Sequence, residues 1–175
     1  MKEVLKLIES KDLWEGSKIL KRDEFLKTSG TIDTNIYFIK SGAVRIFYID
    51  TEEEHTIRFG YEQNLIVALD SFVTGKPSSL YIQALKKTEV HILSKSNFNT
   101  LLQSSVELMQ KWNALLEQLI LQQLERERDL LTSSPKARYE KVLNRSPKVF
   151  QEIPHKYIAS YLRMTPETLS RLKKS

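Results

Sequence analysis

Cysteine is absent from this chain of 175 residues. That alone excludes disulfides, cysteine-held iron–sulfur clusters and thiolate zinc sites, and it is compatible with a reducing compartment. Histidine is scarce: His55, His91 and His155 show no metal-ligand spacing, so neither a metal nor any other cofactor is expected. Long apolar runs are missing too. The strongest, Leu65 to Leu69, is far too short to span a bilayer. The N-terminus, Met1 to Ile8, mixes charged with apolar residues and lacks the continuous stretch of a signal peptide. A cytoplasmic protein with no membrane partner is the expectation. Nor is there a glycine loop to cradle phosphate, a nucleophile elbow, or a carboxylate pair in apolar surroundings, so an enzyme is not expected. Glycine and proline are sparse, five of each, whereas 41% of residues are apolar, which leaves ample material for a packed core.

What the chain does hold is distributed unevenly. Between Lys136 and Ser175, ten Lys/Arg stand against three Asp/Glu, a balance of +7. Residues 1–135 carry seventeen against nineteen, a balance of −2, so the overall +5 belongs to the last quarter. A basic patch concentrated in a short segment is the electrostatic footprint of a phosphate-backbone binder.

Within that segment, Ile153 to Lys174 reads as a helix-turn-helix. The first helix is predicted from about Pro154 to Leu162, with Ile158 and Leu162 facing inward and small Ala159 where two helices cross. Arg163, Met164 and Thr165 make the turn. Thr165 is a good N-cap, Pro166 suits the first helical position, and Glu167 puts negative charge at the positive helix end. Leu169 and Leu172 then face the first helix. This leaves Pro166, Glu167, Ser170 and Arg171 outside, near the end that enters a major groove. Arg is the usual bidentate partner of guanine, and Glu can accept from cytosine. Lys156, Lys173 and Lys174 suit phosphates. With Thr165 and Thr168, these residues form the candidate DNA-contacting set. A solvated ion pair between Glu167 and Arg171 is the plainer reading of those two residues.

Upstream, the hydrophobic period changes twice. Residues 1–12 suggest a short amphipathic helix with Val4, Leu5, Leu7 and Ile8 buried. From Trp14 to Leu93 the period is two. Segments 36–40, 43–49, 55–59 and 80–84 look like strands, separated by turn signals such as Ser29-Gly30 and Ser41-Gly42. Strands this close together, with no helix between them, argue for an antiparallel barrel or double-sheet roll. Past Ser94 and Ser96 comes a helical turn through Phe98, Leu101 and Leu102. A long helix without Gly or Pro then runs from about Ser105 to Leu131. Its apolar residues are too numerous for one narrow seam. One side is expected on the roll and the other on a partner helix, with Met109, Trp112, Leu116, Leu119 and Gln123 in the dimer helix. A long core helix of a monomer is the alternative. Thr132 to Pro135 ends the helix as a hinge. The chain thus divides into a roll over 1–104, a dimerisation helix and hinge over 105–134, and a DNA-binding domain over 135–175.

This order of parts resembles the Crp/Fnr (cyclic-AMP receptor protein / fumarate-nitrate regulator) family of bacterial transcription regulators. Ile36 to Arg45 is similar to the family's strand-turn-strand with its turn glycine. Arg138-Tyr139, Pro147, Pro154 to Leu162 and Thr165 to Arg171 resemble a cyclic-nucleotide-independent branch common in Bacteroidetes. The resemblance implies an α+β fold: a cyclic-nucleotide-binding-like β-roll sensor, a long dimerisation helix and a C-terminal helix-turn-helix. It also implies a homodimeric, sequence-specific DNA-binding regulator. Its partners would be double-stranded DNA, a second copy, RNA polymerase and an unidentified small-molecule effector. Glu167 and Arg171 match the family's base-reading pair. Two departures stand out. Arg163 replaces the usual turn glycine, which calls for a non-glycine residue at positive φ. The chain stops four residues after Arg171, so a full wing is not expected.

A third departure concerns the effector. In relatives that bind cyclic AMP, a Glu holds the ribose and an Arg the cyclic phosphate. Alignment without gaps through Gly75 and Ala84 puts Ala68 and Ser78 at those positions. A buried phosphate without a bidentate cation loses its main charge-assisted bonds, so cyclic AMP is not expected as a ligand. Lys76 is nearby, but as a flexible point charge expected at a loop tip. With Ser79, Tyr81 and Gln83, these residues mark the candidate effector pocket. The competing reading is a ligand-binding or protein-interaction module of the same fold that no longer binds DNA.

Overall fold

The computed structural model describes Leu5, Ile8 and residues 13–174. Of the helix expected over 1–12, Leu5 and Ile8 are helical and buried; the remainder lies outside the described residues.

The period-two region forms eight strands: β1 Gly16–Leu20, β2 Phe25–Lys27, β3 Ile36–Ser41, β4 Ala43–Asp50, β5 Glu53–Tyr61, β6 Leu65–Ile66, β7 Tyr81–Ala84 and β8 Thr88–Leu93. They pair antiparallel in two four-stranded sheets, β1-β8-β3-β6 and β2-β7-β4-β5. The expected double-sheet roll is therefore present. Its interior is filled by alternate residues such as Ile39, Val44, Ile46, Ile82 and Val90. Gly42 joins β3 to β4 at φ +100°, and a Cβ there would lie 2.4 Å from Thr88 Oγ1. Only glycine fits.

Seven helices complete the described chain. α1 Leu69–Thr74 interrupts the strands between β6 and β7. α2 Lys95–Gln103 starts at Ser94, whose hydroxyl accepts from Asn97 N, and buries Phe98, Leu101 and Leu102. α3 Val106–Leu131 starts at Ser105, which accepts from Leu108 N. Its 26 residues reach about 39 Å. α4 Pro135–Arg145 and α5 Pro147–Glu152 each begin with proline, and α6 His155–Tyr161 and α7 Pro166–Leu172 follow.

The helices after residue 135 pack on the outer face of the second sheet. Ala43, Phe59 and Leu85 of the roll join Val142, Ile153, Tyr157, Ile158, Leu162 and Leu169 in one apolar cluster. Polar contacts frame it. Thr56 N donates to Ser160 Oγ at 3.2 Å, and Ser160 Oγ donates to Glu54 O at 3.1 Å. Arg45 lies between the rings of Phe47 (3.9 Å) and Tyr157 (4.3 Å), and its Nη1 meets Glu54 at 2.6 Å.

Candidate nucleic-acid interface

The two helices expected between Pro154 and Leu172 form as a pair. Pro154 flanks α6 in extended conformation rather than sitting inside it, one residue later than the sequence suggested. Ile158 and Ala159 are fully buried, and Leu162 nearly so. Thr165 caps α7, its hydroxyl accepting from Thr168 N at 3.2 Å, and Pro166 takes the first helical position. Leu169 is buried against the first helix, while Leu172 is half-covered. Arg163 adopts φ +50°, the left-handed conformation that its position demands of a non-glycine residue.

Pro166, Glu167, Ser170 and Arg171 are all exposed, as are Lys156, Thr165, Lys173 and Lys174, whereas Thr168 is half-buried. Glu167 sits in the first turn. Its own backbone N–H, the Thr165 hydroxyl and the nearby Arg171 charge hold its carboxyl below the ordinary Glu range. It is ionised at neutral pH. Lys173 Nζ lies 2.5 Å from His155 Nε2, joining the end of α7 to the start of α6.

One residue of this module carried no assigned role in the sequence. Arg138 donates from Nε to Leu162 O (3.0 Å) and from Nη2 to Arg163 O (3.1 Å). Its Nη1 reaches Thr132 O (2.6 Å) and Ser133 O (3.1 Å). One guanidinium thus ties the end of α3 to the turn between α6 and α7. The signal that could have found it is the Ser134-Pro135 helix start, which places Arg138 one turn in.

The candidate effector residues do not come together. Ala68 is buried at the start of α1, and Ser78 is buried. Ser78 Oγ accepts from Leu80 N at 3.0 Å and its carbonyl accepts from Gly30 N at 2.8 Å. Lys76 and Ser79 are exposed. Tyr81 and Gln83, expected near the pocket, lie on the opposite face of β7 from inward-facing Ile82. Tyr81 stacks on Phe47 at 5.1 Å, and Gln83 Oε1 accepts two bonds from Arg45 at 2.7 and 2.9 Å. Strand alternation puts them on the outer face of the second sheet instead, beside Arg45 and Phe47. A cation that the sequence did not flag stands by Ser78. Lys27 Nζ donates to the carbonyls of Leu80 (2.7 Å), Thr28 (2.8 Å) and Ser78 (3.3 Å). Burial lowers its pKa, against the opposing pull of Asp70 and Asp33.

Along α3, Val106, Met109, Ile120, Leu121, Leu124 and Leu131 are exposed. Of the residues assigned to the dimer helix, Met109 and Gln123 are exposed and Leu116 is half-covered. Trp112 packs edge-on against Phe98 at 4.8 Å, and Leu119 borders a cleft against β5, so both face this chain's own roll. Among the described residues no cluster of His, Asp or Glu has metal-holding geometry, and no helix is long and apolar enough to cross a membrane.

Residues 17–105 match the family model of the cyclic nucleotide-binding domain. No curated protein matches the chain significantly. A mutant of CooA from Carboxydothermus hydrogenoformans superposes with a TM-score of 0.75 at 16% identity, covering 97% of this chain and 82% of that one. FixK2 from Bradyrhizobium japonicum gives 0.76 at 16% identity over 91% and 82% of the two chains. The Thermus thermophilus catabolite activator protein gives 0.59 at 22% identity over 99% and 82%. At such identities these neighbours establish the fold alone, a β-roll followed by helices that this chain shares with the catabolite activator protein. The family match, which spans just over half the sequence, establishes more: the chain belongs to the cyclic nucleotide-binding domain family.

Proposed function

We propose that this chain is a sequence-specific DNA-binding transcription regulator of the Crp/Fnr type, working as a homodimer in the cytoplasm. The observation that carries the reading is the outer face of α7. Glu167, Ser170 and Arg171 stand exposed at a capped helix, flanked by Lys156, Lys173 and Lys174. Glu167 and Arg171 read base edges, and the lysines, with Thr165, Pro166 and Thr168 at the helix start, meet the phosphate backbone. Residues 1–104 act as the sensor part, 105–134 as the dimer helix and hinge, and 135–175 as the DNA-binding part. Val106, Met109, Leu116, Ile120, Leu124 and Leu131 recur at spacings of three, four or seven, the pattern of a helix that seats a second copy. The roll does not use cyclic AMP, because Ala68 and Ser78 supply no partner for ribose or phosphate.

Selection from a random duplex pool tests the reading. The expected product is a near-palindromic site whose half-sites lie one turn apart, about 34–36 Å, bound by two chains. A pool that stays random after selection, with a monomer in sedimentation at micromolar concentration, would overturn it.

A further inference from the structure

A cleft of about 980 Å³ opens between β5, the middle of α3 and the start of α5; neither Ala68 nor Ser78 lines it. Cations reach it from three parts of the fold: Arg58 from β5, Arg126 from α3 and Lys148 from α5. Among the described residues none of the three has a carboxylate within ion-pair range. The fourth lining cation, Arg145, is committed to Asp129 at 2.5 Å and Glu125 at 3.8 Å. Glu62, on the rim, is exposed.

The three uncommitted cations are unequally occupied. Arg126 donates to Thr56 O (2.9 Å) and Tyr161 O (3.5 Å) and lies 4.0 Å from the Tyr161 ring. Lys148 Nζ is exposed, 4.9 Å from the Tyr61 ring. Arg58 makes one long hydrogen bond, 3.4 Å, to Gln122 Oε1, which leaves most of its donors unused. Burial lowers the pKa of Arg58 and of Arg126, and the carboxylates closest to Arg126, Asp129 and the cleft-lining Glu125, are paired with Arg145. Phe59, Tyr61, Leu115 and Tyr161 add apolar and aromatic wall.

We propose that this cleft binds a small organic anion. An oxyanion head, phosphate or carboxylate, is held by the fork of Arg58 with Arg126 and Lys148, and a flat apolar body lies against Tyr61 and Tyr161. A planar guanidinium matches either head in two parallel hydrogen bonds. The cleft face of α3, with Leu115, Leu119 and Gln122, is about 100° round the helix from the open stripe at Leu116 and Ile120. A ligand and a second chain therefore use different faces.

The test titrates the full chain, without DNA, with 1-naphthyl phosphate, 1-naphthoate and uncharged 1-naphthol. At least one anion is expected to bind with a Kd below about 1 mM, and Arg58→Gln should weaken it about tenfold. Lys148→Gln, at an exposed position, should weaken it roughly threefold. Naphthol binding should change with neither variant. The tighter of the two anions identifies the head group. Absence of binding by both anions, binding left intact by Lys148→Gln and Arg58→Gln, or an equal loss for naphthol would each overturn the proposal. The readout needs no DNA, so it stands or falls separately from the regulator reading.

Discussion

The polar groups around Ser78 and those on the outer face of α7 are put to opposite uses. Around Ser78 they are spent within the chain. Lys27 satisfies three carbonyls, Ser71 Oγ accepts from Asp33 N at 2.9 Å, and Tyr37 donates to Asp33 at 2.8 Å. On α7 only Thr165 and the carboxylate of Glu167 serve the helix and only Lys173, at its end, meets a neighbour, His155, while Ser170, Arg171 and Lys174 face water. A charge whose donors are already used for architecture has little left for a ligand. One held out on a rigid, capped helix is available to a partner.

The largest effect should come from the support beneath that outer face. Arg138→Ala strips donors from four carbonyls and should cost about 3 kcal/mol in urea unfolding. It should weaken every DNA sequence alike. Normal stability would mean that the turn at Arg163 holds itself. Arg171→Ala should cost about 1–3 kcal/mol on the selected site and relax preference at one base pair, with unfolding unchanged. Equal loss on selected and random duplex, measured by fluorescence anisotropy, would move Arg171 from reader to phosphate clamp. Lys173→Ala should weaken all sequences modestly and reduce the slope of log affinity against log salt by about 1. The smallest expected effect is none at all: millimolar cyclic AMP should leave the melting temperature where it was. A native-state ligand at a hundredfold excess over Kd adds about 2.7 kcal/mol, which thermal unfolding would register. A clear rise would break the comparison, because the region around Ser78 would then have donors to spare.

Legibility followed the range of the forces involved. The start of α7 could be read because Thr165, Pro166 and Glu167 act within one turn. The long helix was readable to within one residue at each end for the same reason, having Ser105 before it and no breaker inside. The short strands were harder. β6 has two residues, and β1 exposes Ile19 while β2 buries Lys27, inverting the pattern that would announce them. The placement of Tyr81 and Gln83 was lost for another reason. Both faces of β7 are engaged, one by the roll interior and one by Arg45 and Phe47 of β4, so alternation no longer distinguishes inside from outside. The Ser-Pro starts of α4 and α5 were on the page as local signals, but a basic, polar segment gave them no apolar stripe strong enough to read. Arg58, Arg126 and Lys148 stand too far apart in sequence for any spacing rule to join them.

The shared cluster beneath the helical module has a consequence for handling the protein. Ile158 and Leu169 rest on a floor that includes Ala43, Phe59 and Leu85 from the roll. A fragment beginning at residue 135 would carry its greasy underside into solvent, and a fragment ending at residue 104 would keep the matching bare sheet. Neither half is a transplantable cassette. A chimera that swaps the reading head must bring its own landing surface on β4 and β5, or both pieces will stick to whatever apolar surface they meet first.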